Sequence, residues 1–186
     1  MKIRPALPSD ARAIANLHVR TWQSTYRGIV PDAYLDALSS DKRETVLRES
    51  IARGSPEMWV ANSDSEITGW IAFGASRDLD AKPGVGEVEA IYVSPEHWST
   101  GTGRELWNVA RARLVERDFA SVTLWVLEQN ERATRFYRAA GFAADTASRK
   151  EISIGGKSVW EVRYACALPH VSLTRRQASP HPHTPE

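Results

Sequence analysis

Glu87 and Glu89 stand two apart in a run that reads as a strand from Glu87 to Ser94, and a glycine turn, Gly101-Thr102-Gly103, follows just beyond Pro95. Alternation puts Glu87, Glu89, Ile91 and Val93 on one face and Val88, Ala90 and Tyr92 on the other. Two carboxylates on one face of a central strand need an account, because unpaired buried acids are costly. Either each is paired with a basic neighbour such as Arg77 or Arg149, or one of them takes protons, since adjacent carboxylates can divide roles. The turn supplies the complementary chemistry. Successive backbone N–H groups at a helix start form an anion site. Gly101 and Gly103 lack a Cβ, so a phosphate can come close to the main chain. Arg104 adds a charged donor just inside the helix. A proton acceptor thus abuts an anion cradle.

Two nucleotide motifs are excluded. A P-loop needs a lysine after its second glycine, and Arg104 stands there. A dinucleotide fingerprint needs a third small residue, and that position is Leu106. A second segment strengthens the site: Asn130-x-x-Ala133-x-x-Phe136-Tyr137-x-x-x-Gly141-Phe142. It reads as a helix opening at the carboxyl end of the next parallel strand, where open α/β sheets hold ligands. His18 and His97 have no partner at metal-ligand spacing, so no metal site is expected. Cys166 reads as an inert core thiol, and Trp107 and Trp125 as packing.

The elements that position these residues follow from period and punctuation. Ile3 to Ala6 is a first strand, and Ser9 or Asp10 caps a helix with Ile14, Leu17 and Trp22 on its buried face. A short helix follows Pro31, and a third runs from about Asp41 to Arg53, stopped by Gly54. Met58–Ala61 and Ile67–Phe73 form a hairpin across a turn at 62–65. After the central strand come a helix from Arg104 to Arg117, a doubly buried strand Ser121–Leu127, and a helix Glu131–Ala139 ended by Gly141. Phe142–Ala144 begins another strand, and Glu151–Ile154 with Ser158–Ala167 forms a hairpin across Gly155-Gly156. The unit from Glu87 to Leu127 is a right-handed βαβ crossover. A single α/β domain over residues 1–168 results, with a polar, proline-containing tail at 169–186 that is expected to be disordered.

Composition sets outer limits. A chain of 186 residues suits one domain, and a net charge of +1 argues against a dedicated nucleic-acid binder. No apolar run approaches ~20 residues, so no membrane span is expected. The single cysteine fits a reducing compartment, and a cytoplasmic protein is the default.

Taken together, the residues resemble the GNAT N-acetyltransferases, over about Arg4 to Leu168 and most densely from Glu87 to Phe142. Members carry an acid on a strand and then R/Q-x-x-G-x-G/A; here that segment reads Trp98-Ser99-Thr100-Gly101-Thr102-Gly103, with Trp98 where Arg or Gln is usual. The stretch Trp22-x-x-x-Tyr26-Arg27-Gly28-x-Val30-Pro31 is similar to the helical entry of the branch that acetylates small amines, amino acids and phosphinothricin-like compounds. The resemblance implies a mixed sheet of about seven strands, flanked by helices, whose central parallel pair splays. It implies acetyl-CoA as co-substrate, held by the main chain of Ile91, Tyr92 and Val93, by Ser99, Thr100, Gly101, Thr102, Gly103 and Arg104, and by Asn130 and Ala133. It implies Glu87, in preference to Glu89, as a water-mediated general base, and Tyr137 as acid or hydrogen-bond donor to the departing thiolate. Asn130 bonds the pantetheine arm, caps its helix, or does both. Trp22 and Tyr26, with Glu89, are the substrate-side residues. The expected acceptor is a small-molecule primary amine. A protein or peptide acceptor and a non-catalytic acyl-CoA sensor are the alternatives, and a homodimer is compatible with the reading.

Overall fold

Twelve regular elements make up the part of the chain that the structure, a computed structural model, describes: residues 1–63 and 66–169. The strands are β1 (Lys2–Pro5), β2 (Glu57–Ser63), β3 (Glu66–Ala75), β4 (Val85–Val93), β5 (Ser121–Leu127), β6 (Ala143–Ile154) and β7 (Lys157–Ala167). The helices are α1 (Ala11–Thr25), α2 (Asp32–Asp36), α3 (Ser40–Arg53), α4 (Thr102–Glu116) and α5 (Glu131–Ala139). The expected tail at 169–186, apart from Pro169, and the tip of the first hairpin at 64–65 lie outside the described residues.

The seven strands form one sheet in the order β1-β2-β3-β4-β5-β7-β6. Only β4 and β5 run parallel, joined by the crossover through α4. One face packs on α4 and α5, where Leu106, Trp107, Ala110 and Leu114 meet Ile71, Phe73 and Val88. The other face packs on α1 and α3, where Ile14, Leu17 and Leu47 meet Val60, Trp70 and Ala72. Helical and strand periodicity therefore converge on two cores with the sheet between them.

Three local expectations are corrected. Asp10 makes no capping bond to α1; its carboxylate accepts from the Leu7 N–H at 2.7 Å and from Arg4 at 2.6 and 2.9 Å. Residues 143–154 form one long strand where the sequence pattern suggests two separate segments. The pairing with β7 shifts between Asp145 and Lys150, where Ser148 Oγ accepts from the Arg163 N–H, and that irregularity breaks the alternation. The third correction bears on the site. β3 and β4 pair Ile71 with Ile91 and Ala72 with Ala90, but Phe73 with Val88, which leaves Glu89 as an extra residue on β4. This β-bulge inverts the alternation. Val88 shares a core with Ile91 and Val93, while Ala90 and Tyr92 face the opposite core.

The parallel pair is short. β4 and β5 are in register at only Val85–Ser121, Gly86–Val122 and Glu87–Thr123, and beyond these the strands part. The Ser94 N–H bonds the Thr68 carbonyl of β3. By antiparallel alternation the main-chain groups of Tyr92 also turn toward β3, and those of Ile91 and Val93 turn into the gap.

Candidate active site

A cleft of about 760 Å³ occupies that gap. Its walls are the free stretch of β4 from Val88 to Val93, the end of β5 from Trp125 to Leu127, the glycine turn, α5 and the carboxyl end of α1. It is the first place where the separate pieces of the sequence meet.

At one end stands the turn. Ser99 and Gly101 both have positive φ, 63° and 92°, the left-handed backbone from which main-chain anion nests are built. Gly101 needs its missing side chain for that backbone. The turn delivers the chain into α4, whose Gly103 and Arg104 also line the cleft. Thr100 and Thr102 do not line it. Their hydroxyls lie 3.0 Å apart, and Thr100 donates to the His97 carbonyl at 2.8 Å, so these side chains brace the loop from behind. Across the mouth, Asn130 caps α5, its Oδ1 accepting from the Ala133 N–H at 3.1 Å. Arg132 and Phe136 of that helix line the same mouth.

At the other end the two glutamates separate. Glu87 is 3 % exposed and is not on the cleft wall. It accepts from the Arg77 main-chain N–H at 2.9 Å and from the Arg77 guanidinium through both oxygens. Glu89, displaced by the bulge, lines the cleft and shares Arg77 through a single 3.0 Å ion pair. Burial raises the Glu89 pKa above the usual carboxylate range; Arg77 opposes this, and the Glu87 charge adds to it. Arg77 is anchored by its loop: Arg163 of β7 bonds Asp78 at 3.2 Å and Asp80 at 2.8 Å. The expectation that the base is Glu87 meets a carboxylate off the cleft wall that already accepts three hydrogen bonds from the main chain and guanidinium of Arg77.

Between the two ends lies a group of phenols. Trp22 donates its indole N–H to the Tyr92 hydroxyl at 3.0 Å, and Trp22 and Tyr26 pack edge to face at 4.7 Å. Burial pushes the Tyr26 phenol up to about 12, with the Tyr137 charge adding and hydrogen bonds from Asn130 and Tyr92 opposing. Burial likewise holds Tyr92 and Tyr137 above the ordinary phenol range. Tyr137 packs against Phe136, Phe142 and Tyr164. Beside this group Val30, Leu35, Leu127 and Val159 form a small core, with Trp22 and Tyr26 of the α1 end and Ile152 and Ile154 of β6 packed against it.

A model of the acetyltransferase (GNAT) family matches residues 13–142. The chain belongs to the GNAT family. A probable N-acetyltransferase of Mycobacterium tuberculosis is 29% identical over 97% of this chain and 96% of its own length, and an N-acetyltransferase of Bacillus subtilis is 30% identical over 86% and 89%. Among solved structures, the PaiA N-acetyltransferase of Thermoplasma acidophilum in complex with coenzyme A superposes with a TM-score of 0.69 at 21% identity, covering 86% of this chain and 96% of that one. The yncA structure of Salmonella typhimurium with its cofactor acetyl-CoA gives 0.70 at 19%, covering 97% and 98%. As a GNAT member the chain is an acyl-CoA-dependent N-acetyltransferase. Among the described residues no helix is long and apolar enough to cross a membrane.

Several cleft residues carried no assignment from the sequence. Arg132 and Phe136 lie on the right helix face, but nothing in their spacing says what they oppose. Trp125 reads as packing because it sits in an apolar strand; in fact its ring lines the cleft and its indole bonds Asp78 at 2.9 Å.

Proposed function

We propose that this GNAT enzyme transfers the acetyl group of acetyl-CoA to a primary amine of a small molecule, with Glu89 as water-mediated base. The observation that carries the reading is one continuous cleft of opposite ends: Arg104 and Arg132 beside the glycine turn, and Glu89 beside Trp22, Tyr26 and Trp125. An anionic nucleotide suits the first end, and a basic amine against a carboxylate and aromatic rings suits the second.

The chain's groups divide the work as follows. The turn from Ser99 to Gly103, with Arg104, holds the pyrophosphate. Ile91 and Val93 offer main-chain groups to the pantetheine arm as an added strand, and one of those N–H groups faces the thioester oxygen. Asn130 reaches the arm or Tyr26 with its amide NH₂, since its oxygen is committed to the cap. Glu89 accepts the proton of the attacking ammonium through water; burial raises its pKa and makes it a stronger base than an ordinary carboxylate. Glu87 fixes Arg77, which in turn orients Glu89. The amine nitrogen bonds the carbonyl carbon, the C–S bond breaks, the electron pair leaves on sulfur, and the surplus proton on the nitrogen passes through water to that thiolate, giving the amide and free thiol. Tyr137 serves that sulfur as a hydrogen-bond donor. A phenol near 10 protonating a thiolate near 8.5 is already uphill by about 2 kcal/mol, and burial of Tyr137 adds to the cost. The small apolar core packed against Trp22 and Tyr26 supports a small acceptor over a protein lysine.

Release of free thiol from acetyl-CoA across a panel of primary amines and acetylatable peptides tests the reading. Turnover with small amines supports it. Turnover with peptides alone transfers the assignment to a protein acceptor, and tight CoA binding without turnover on any acceptor makes the chain a sensor.

A further inference from the structure

Trp98 occupies the position where the family carries Arg or Gln, and the structure shows what it does instead. Its indole N–H donates to the Val93 carbonyl at 2.9 Å, which fixes the half-buried ring at the mouth of the cleft. The Arg132 guanidinium lies over that ring, 4.0 Å from its centroid. Both residues line the cleft. A guanidinium stacked on an indole keeps its N–H edge free for a bidentate acceptor and loses little freedom on binding. Arg132 has no carboxylate partner among the described residues. It also sits in the first turn of α5, where the helix dipole opposes a cation and an incoming anion would reverse that cost. The side chain missing from the loop at position 98 is thus replaced by a cation from the opposite wall.

Which anion it meets follows from how the charges are divided. The glycine turn and Arg104 form one anion site on α4. Arg132 stands on another helix of the cleft wall, and unlike its neighbour Arg135, which pairs with Glu131, it has no carboxylate partner among the described residues. The CoA nucleotide carries a pyrophosphate and, separately, a phosphate monoester on its ribose. We propose that Arg132, braced on Trp98, recognises the ribose 3′-phosphate of the acyl donor and so selects CoA over its dephosphorylated form. The proposal rests on the cofactor reading above and assigns it a specificity residue.

Titration calorimetry with CoA and 3′-dephospho-CoA, on the wild type and on Arg132→Gln and Trp98→Leu, tests it. Wild type should bind CoA at least about tenfold tighter than dephospho-CoA, the size of one charge-assisted bidentate contact. Arg132→Gln should weaken CoA about tenfold and leave dephospho-CoA within about twofold, erasing the preference. Trp98→Leu should lose part of the preference, since Arg132 remains but is unbraced. Arg132 is exposed, so its variant should keep the wild-type melting temperature. An equal loss for both ligands in Arg132→Gln, or no loss, overturns the proposal while leaving the cofactor reading intact. Failure of the wild type to bind either ligand overturns both.

Discussion

Exchanging Glu89 for Gln separates the two glutamates in a way the fold allows to be sized. The amide keeps the shape and a hydrogen bond to Arg77 but cannot take a proton. What the base is worth depends on the acceptor. At pH 7 an amine of pKa about 7.8 needs about 1 kcal/mol to lose its proton, and an alkylamine near 10.4 needs about 4.6 kcal/mol. Glu89→Gln should therefore lower kcat/KM by less than about tenfold for an α-amine, and by about 10² to 10⁴ for an alkylamine. The loss should shrink as pH rises toward the amine pKa, because hydroxide and bulk water then supply free amine. Glu87→Gln should behave differently. It loosens the clamp on Arg77 within a buried pair, so its first effect is on stability, with a smaller change in rate. The assay is thiol release from acetyl-CoA between pH 6 and 9 with one acceptor of each kind, alongside urea unfolding of each variant. A folded Glu87→Gln enzyme that loses more activity than Glu89→Gln would refute the reasoning and return the base to Glu87.

Other outcomes follow from the same geometry. Arg77→Met leaves Glu87 buried without its partner and should cost about 1–3 kcal/mol in urea unfolding; it also removes the influence that lowers the Glu89 pKa, so the acidic limb of the pH–rate profile should move to higher pH, and an unmoved limb would disconnect Glu89 from the reaction. Tyr137→Phe should lower kcat about 10- to 100-fold with KM for acetyl-CoA unchanged, since the bond to sulfur strengthens only as charge leaves the thioester; an unchanged kcat would reduce Tyr137 to packing. A Cβ on Gly155 would come within 2.6 Å of Tyr34 Cβ, at a residue with φ of +59°, so Gly155→Val should raise KM for the amine while KM for acetyl-CoA holds, and a shift in both would separate the hairpin from acceptor binding. His18 lies among Trp22, Trp70 and Tyr92 with its pKa pushed down to about 3 by burial, and Arg43 adds to the shift. It binds fewer protons folded than unfolded, so stability should fall as pH drops from about 6.5 toward about 3. His18→Phe should flatten that slope in urea unfolding series, and a slope equal to wild type would mean that His18 is not buried in solution.

The sequence made some parts of the site legible and hid others for definable reasons. β5 and α5 emerge with the expected bounds because a dense apolar run and the pair Asn130 and Gly141 mark their ends. The glycine turn is visible because Gly101 serves a backbone conformation that few other residues accept. The bulge at Glu89 is hidden because it arises from how β3 and β4 pair, with no Gly or Pro to mark it. That one extra residue places Glu89 on the cleft wall and leaves Glu87 behind it, whereas strict alternation puts both on one face and does not tell them apart. Thr100 and Thr102 share a loop with true cleft residues and differ only in the direction of their side chains. Trp98 and Arg132 are far apart in the chain, and their contact exists only after α5 has docked.

The short zipper between β4 and β5 also has a consequence for the lifetime of the folded chain. Most sheets fray at their outer strands; here the middle leaves the N–H groups of Ile91 and Val93 turned into the gap, and amide exchange there should be faster than in the flanking β3. A ligand lodged as a false strand would close that seam. At a hundred times its dissociation constant such a ligand adds about 2.7 kcal/mol to the unfolding free energy. It would also cover the edges through which two partly open molecules could pair with each other. Supply of the acyl donor would then govern how long each enzyme molecule survives, as well as how fast it turns over.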